Sequence, residues 1–243
     1  VADSILQSRD GDVVTITLNV PDNSNRMTDE MAVDLTNRIN TAGKDAKLIV
    51  FRAAGKDFCT GRATMGQKPS GPPKEAYDMR DIFDTVFNLY AAFRDSPAPV
   101  LGVVQGPAYG LGIALTGLCD ITVASDTATF QVPEMQHNIM PTMVMSALID
   151  RISRKALMYL TYSTDIIDAQ TALVFGLADK VVPAADLDSA VEEMVKQIAS
   201  EPMVAVRGTK EFVANAHGRD MANAVAYARS IHAMVNASSK IRE

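Results

Sequence analysis

"GPAYGLGIALTGLCD", residues 106–120, carries no charged side chain until Asp120 and is punctuated by Gly106, Gly110, Gly112 and Gly117. The uncharged run around it extends from Pro97 to Cys119, long enough to cross a bilayer. It contains three prolines, five glycines and Gln105, and it lacks flanking basic clusters and aromatic anchors. Those features exclude a membrane span and favour a buried strand, a glycine-rich turn and a buried helix beginning near Leu111. A dinucleotide-binding turn needs a third small residue at position 115, where Leu115 stands, and no P-loop lysine follows. What remains is a helix N-terminus, whose unpaired amides carry partial positive charge and can hold an anion or an oxyanion. Close packing of backbone also selects glycine, so the stretch alone leaves both uses open.

The surrounding chain is that of an ordinary globular protein. At 243 residues it can bury a large core, and 21% charged against 47% hydrophobic residues sets it apart from disordered chains. A net charge of −6 argues against nucleic acid and anionic membranes as partners, and no basic stripe interleaved with aromatics is present. Cys59 and Cys119 are too few for a disulfide framework and fit a reducing compartment. With His137 they do not form a ligand spacing, so neither a metal nor a separate cofactor is expected. The opening "VADSILQSRDGD" carries charge where a secretory signal needs an apolar run. A cytoplasmic location is therefore expected, while a chain that starts at Val1 is compatible with a removed organellar leader.

Working outward, "DVVTITLN" (12–19), "KLIVFRA" (47–53), "APVLGVVQ" (98–105) and "DITVASD" (120–126) read as strands. Thr28 reads as the N-cap of a helix with Asp29 and Glu30 in its first turn and Met31, Leu35 and Ile39 on its apolar face. "MGQKPSGPPK" (65–74) predicts a long loop, followed by a helix with Ile82, Val86, Leu89 and Phe93 on one face. Helical patterns return at 142–160, 168–175 and 186–199, and two more occupy the tail without a strand signal. Strands alternating with helices, then helices alone, indicate an α/β core (1–185) and a helical C-terminal region (186–243). No internal repeat is visible.

A second glycine turn, "KDFCTGRAT" (56–64), follows the second strand, and Gly61 can adopt the backbone geometry that turns the Arg62 amide into a cleft. Two such strand-end turns can supply converging N–H donors, the geometry of an oxyanion hole, in which one donor is worth roughly 3–4 kcal/mol. "FCTGR", "QGPAYGLGIALTGLCDI", "FQVPE" and "DIIDAQTALVFGLADKVVP" occur in the order and spacing of the enoyl-CoA hydratase/isomerase (crotonase-like) family, which the chain resembles from about residue 6 to 215. The resemblance implies a spiral of strand–strand–helix units, a helical region that builds a homotrimer or a dimer of trimers, and acyl-CoA thioester substrates. By position it makes the amides of Arg62 and Leu111 the oxyanion donors. It also places Ala63, Thr64, Met65, Gly110 and Ala114 along the substrate, and Arg26 near the CoA phosphates, unless that side chain is simply solvated.

The acid–base groups depart from the family's best-known pattern. Its hydratases carry one Glu three residues after the second oxyanion amide, where this chain has Ala114, and a second Glu after a proline, kept here as Glu134. Ala63 replaces a usual Asp, Asn138 a usual glycine, and "TMVMS" a usual glycine-rich helix start after Pro141, which reshapes the acyl pocket near Met140, Met143 and Met145. Hydration shares water activation and proton delivery between two carboxylates, whereas one carboxylate suffices to move a proton along a dienolate. The expectation is an isomerase-type double-bond shift by Glu134, with a pKa raised in an apolar pocket. Hydration, another enolate-forming lyase or decarboxylase reaction, and a non-catalytic acyl-CoA-binding role are the alternatives. His137 is three residues from Glu134 and either faces the pocket or is a loop histidine; His217 and His232 are expected at the surface of the tail.

Overall fold

The computed structural model describes residues 3–64, 75–77 and 81–241, so Met65 and the 65–74 loop lie outside the described residues. The chain opens with β1 (Ile5–Asp10), β2 (Val13–Leu18), α1 (Asp29–Asp45) and β3 (Leu48–Ala53). It continues with α2 (Asp84–Asp95), β4 (Val100–Val104), β5 (Ala108–Tyr109), α3 (Leu111–Leu118), β6 (Ile121–Ser125), β7 (Thr129–Gln131) and α4 (Thr142–Leu148). The remainder is α5 (Arg154–Ser163), β8 (Ile167–Asp168), α6 (Ala169–Phe175), β9 (Lys180–Val182), α7 (Leu187–Ser200), α8 (Met203–Ala216) and α9 (Met221–Asn236).

The longer strands form a sheet in the order β1-β2-β3-β4-β6-β9, parallel except for the β1–β2 hairpin. Its central strands are apolar at nearly every position because both faces are covered. Alternation then sorts them. Leu48, Val50, Leu101, Val103 and Val123 meet Leu187, Ala190 and Val191 of α7 on one face. Ile49, Phe51, Val100 and Val104 point into the main core on the other. There Phe51 makes edge-on contacts with Phe58 and Phe93 at 5.6 and 5.3 Å between centroids.

A second column of pairing runs beside this sheet. Met27 bridges Arg62, Cys59 bridges Ala108, Ala108 pairs with Phe130, and Phe130 with Ile167. Long strand, short strand or bridge, then helix is thus the unit that recurs through α1, α2, α3 and α4. This is the strand–strand–helix pattern implied by the resemblance. It leaves no trace in the sequence because the second strand of each unit is only one to three residues long.

Several expectations hold locally. Thr28 caps α1 by accepting from the Met31 amide at 3.2 Å, and Met31, Leu35 and Ile39 are buried. Others need correction. β1 went unread because only Ile5 of its six residues is buried, so this edge strand has no apolar alternation. The 142–160 pattern is two helices, broken so that Ser153 can cap α5 by accepting from Ala156 N at 3.1 Å. Ile82 does not join Val86, Leu89 and Phe93 on the buried face of α2; it lies in a preceding 3-10 turn and is exposed. In the tail, α8 is tied to the core by Lys210, whose Nζ donates to Asp120 Oδ2 at 2.7 Å and to the carbonyls of Phe93 and Ala98.

The closest backbone approach in this arrangement is made by glycine. A Cβ on Gly112 would stand 2.0 Å from the Cys59 carbonyl oxygen, and one on Gly106 2.0 Å from that of Lys56. Because the obstacle is backbone and not a flexible side chain, Gly112→Ala is expected to destabilise the fold by about 3 kcal/mol, at the upper end of overpacking costs. Thr28→Ala should cost about 1 kcal/mol through loss of the cap. Urea unfolding compares the two, and a Gly112→Ala midpoint no lower than that of Thr28→Ala would contradict the close approach.

Candidate active site

The first glycine turn is held from both sides. Cys59 N donates to the Pro107 carbonyl at 3.1 Å and Tyr109 N to the Cys59 carbonyl at 2.9 Å. Met27 N donates to the Gly61 carbonyl at 2.9 Å and Ala63 N to the Met27 carbonyl at 2.8 Å. Gly61 and Ala63 therefore face Met27, and the amide of the intervening Arg62 points to the opposite side. Gly61 turns the chain with φ +106°. Among the described residues the Arg62 amide has no acceptor.

The second turn meets the first along the same column. Gly110, at φ +53° and ψ −113°, adopts a conformation open only to glycine and starts α3. Leu111 is the first helical residue, so its amide has no intrahelical acceptor, and none is found elsewhere among the described residues. Gly110 N donates to the Gln131 carbonyl at 3.0 Å, which joins this turn to β7; Glu134 lies three residues beyond. Gln131 and Gln136 in turn donate to the Thr164 carbonyl and Oγ1 at 2.9 and 3.0 Å, fixing the short 3-10 turn Glu134–His137. Asn138 closes that turn in left-handed geometry at φ +56°, as its type allows.

Glu134 is 6% exposed, and its Oε2 is sealed from solvent without a hydrogen-bond partner among the described residues. Burial raises its pKa above the ordinary carboxylate range, partly opposed by its own backbone amide. Ala114 is fully enclosed one turn into α3, so no carboxylate and no solvent-open space stands at that position. The structure thus sets Arg62, Gly110 and Leu111 beside one column of pairing, with Ala114 one turn into α3 and Glu134 three residues beyond Gln131. Arg26 reaches the same turn from outside, donating to the Arg62 carbonyl at 3.1 Å. Thr64 is exposed, and Ala63 is engaged by its amide. His137, His217 and His232 are exposed. Met140 is exposed, whereas Met143 and Met145 pack against the core. Burial pushes the Cys59 thiol up to about 11, which keeps it protonated and inert. Among the described residues no group of His, Cys, Asp or Glu is placed to hold a metal, and no helix is long and apolar enough to cross a membrane.

Three residues that shape the site escaped the sequence reading. Asn25, fully buried, accepts from Val20 N at 2.8 Å and donates to the Ala54 and Asp57 carbonyls at 2.9 and 2.8 Å. Gln105 donates to the carbonyls of Ala53, Gly55 and Asp57 within 3.1 Å. Both gather the strand end that leads into the first turn, and the only sequence signal was a lone amide beside a turn. The third, Tyr90, lies on α2 within electrostatic reach of Arg62 and Glu134, and an aromatic series at helical spacing (Phe83, Phe87, Tyr90) was its sign.

A parallel sheet, a side column of short strands and two facing glycine turns define a crotonase-like α/β protein. The chain belongs to the enoyl-CoA hydratase/isomerase family, whose model matches residues 8–243. It is 30% identical over 213 residues to enoyl-CoA delta isomerase 2 of Rattus norvegicus, covering 86% of this chain and 54% of that protein. It is 30% identical over 232 residues to probable enoyl-CoA hydratase echA8 of Mycobacterium bovis, covering 94% and 88%. The solved enoyl-CoA hydratase of Mycobacterium smegmatis superposes with a TM-score of 0.91 at 29% identity, over 99% of this chain and 94% of that one. The chain spans about half the length of several curated relatives it matches.

The raised pKa of Glu134 has a consequence for stability. A carboxyl whose pKa is higher folded than unfolded is neutral in both states at low pH. Its burial cost sets in as pH rises through the ordinary value of 4.5 and is complete above the folded value. Glu134→Gln should therefore match the wild type in urea stability near pH 4 and gain on it progressively towards pH 8. Each tenfold difference in proton affinity adds about 1.4 kcal/mol. A difference that does not change with pH would contradict the burial of a charged carboxylate.

Proposed function

We propose that the protein is an acyl-CoA isomerase that shifts a double bond by a single-carboxylate proton transfer. The buried carboxylate of Glu134, with its Oε2 unpartnered among the described residues, together with an enclosed Ala114 in place of a second carboxylate, supports this reading. The amides of Arg62 and Leu111 bind the thioester oxygen. Glu134 takes a proton from the α-carbon of a 3-enoyl thioester, and the electron pair spreads over a dienolate whose oxyanion the two amides stabilise. The same carboxyl returns the proton to the γ-carbon, giving the conjugated 2-enoyl thioester with no net change in composition. A raised pKa suits a group that must both accept and release a proton near neutrality. Arg26 holds the Arg62 carbonyl, and its remaining N–H groups serve the CoA phosphates. Hydration is the second reading, favoured by the hydratase names among the relatives.

Incubation with 3-enoyl-CoA should yield a conjugated thioester of unchanged mass, followed by absorbance and mass. Glu134→Gln should lower kcat by about 10²–10⁴-fold, the usual worth of a positioned general base. A product heavier by one water would overturn the isomerase reading in favour of hydration, and saturable binding without turnover would favour an acyl-CoA-binding role.

A homotrimer or dimer of trimers belongs to the same proposal. Its support is the exposed apolar side chains concentrated between residues 135 and 174, among them Met140, Ile149, Tyr162, Ile166 and Val174. Sedimentation equilibrium should give three or six times the chain mass; a monomer at micromolar concentration would contradict it.

A further inference from the structure

Phe83, Phe87 and Tyr90 succeed one another along α2 and the turn that precedes it, at spacings of four and three that place them on one face. Exposure falls along this series from 37% and 39% at the two phenylalanines to 4% at Tyr90, so the face leads from the surface to the interior. At its outer end the Arg62 guanidinium sits 5.8 Å over the Phe83 ring, anchored by Asp29 at 2.6 Å. At its inner end the Tyr90 ring stands edge-on to Phe87, with centroids 6.3 Å apart. The outer end of the aromatic face therefore meets the side chain of Arg62, whose amide belongs to the first turn of the site.

The Tyr90 hydroxyl makes no hydrogen bond among the described residues, although the residue is buried. Burial, and next the negative charge of Glu134, raise its pKa, while Arg62 opposes them. The phenol therefore stays protonated, and it lies within electrostatic reach of both the carboxylate and the guanidinium without bonding to either. A buried tyrosine ordinarily places its O–H on a partner. Here the described residues supply none, and a plain hydrocarbon passing along Phe83 and Phe87 would leave the donor empty.

We infer that Tyr90 is a specificity-determining residue: its phenol donates a hydrogen bond to a hydroxyl or keto oxygen carried on the acyl chain, so the site prefers an oxygenated acyl thioester to a plain one. This rests on the acyl-thioester reading above but not on the double-bond shift. The oxygen is an acceptor and undergoes no reaction, so no proton leaves Tyr90.

Binding of unreactive ligands tests it. Saturated acyl-CoA thioesters of equal chain length, bearing one hydroxyl or keto oxygen at successive carbons beyond the γ-carbon or none, are titrated calorimetrically into the intact protein. The best oxygenated chain should bind about tenfold more tightly than the plain one, which corresponds to about 1.4 kcal/mol. Tyr90→Phe, which keeps the ring, should remove that preference by weakening the oxygenated ligand while leaving the plain one unchanged. Glu134→Gln should retain the preference even where turnover is lost, which separates this inference from the catalytic one. Equal affinity of plain and oxygenated chains for the wild type would overturn it. So would a Tyr90→Phe variant that weakens all ligands by one factor, the mark of a purely structural tyrosine. If Tyr90→Phe bound nothing, the wild-type preference alone would decide.

Discussion

The contact between Gly112 and the Cys59 carbonyl is the constraint on which the rest of the site depends. It lets the first turn of α3 lie directly on the backbone of the 59–62 turn, at a separation no side chain permits. The two unpaired amides belong to residues on either side of this contact, so their nearness is set by backbone against backbone and not by adjustable side chains. Hydrogen bonds then hold the register: Tyr109 to Cys59, Gly110 to Gln131, and Met27 to Gly61. Pre-set donors of this kind require no reorganisation when charge develops opposite them, which is what makes them effective.

A polar shell keeps this backbone in place. Asn25 and Gln105 collect four carbonyls between residues 53 and 57, all from the strand end that feeds the first turn. Arg62 is restrained at both ends: its carbonyl accepts from Arg26, and its side chain is held by Asp29 and the Phe83 ring. The amide between them is left without an acceptor among the described residues, so the surrounding bonds fix the orientation of a donor that they do not themselves use. The same economy appears at Glu134, whose turn is tied by Gln131, Gln136 and Asn138 while its Oε2 is left without a partner.

What could be read from sequence follows from which forces act locally. The two glycine turns, the Thr28 cap and the periodic face of α1 are signals written within a few residues, and each has its counterpart in the structure. The short strands are not local at all. β5 and β8 have two residues each and exist only because distant chain lies beside them, so no periodicity could announce them. β1 is a polar edge, and the break between α4 and α5 is decided by one serine cap within an otherwise helical pattern. Tyr90 was hidden differently. The buried stripe of Val86, Leu89 and Phe93 dominates α2, and the aromatic series beside it acquires meaning only once Arg62 and Glu134 are brought next to it.

The substitution at Ala114 and the burial of Glu134 are two parts of one electrostatic problem. Two carboxylates in a small enclosed space raise each other's pKa, and one of them holds a proton near neutrality. With Ala114 enclosed by the core, Glu134 meets no like charge on α3, and desolvation, partly opposed by its own backbone amide, sets the direction of its shift. A carboxyl raised by desolvation can still ionise, whereas one raised by a neighbouring charge depends on that neighbour's state. Such a group suits a proton that leaves and returns to the same molecule, since both transfers use one acid–base pair. The neutral phenol of Tyr90 leaves this balance intact: it is a donor within electrostatic reach of the carboxylate that adds no competing charge. On the proposed reading, selectivity for the acyl chain and proton transfer to it are set by different residues of one site.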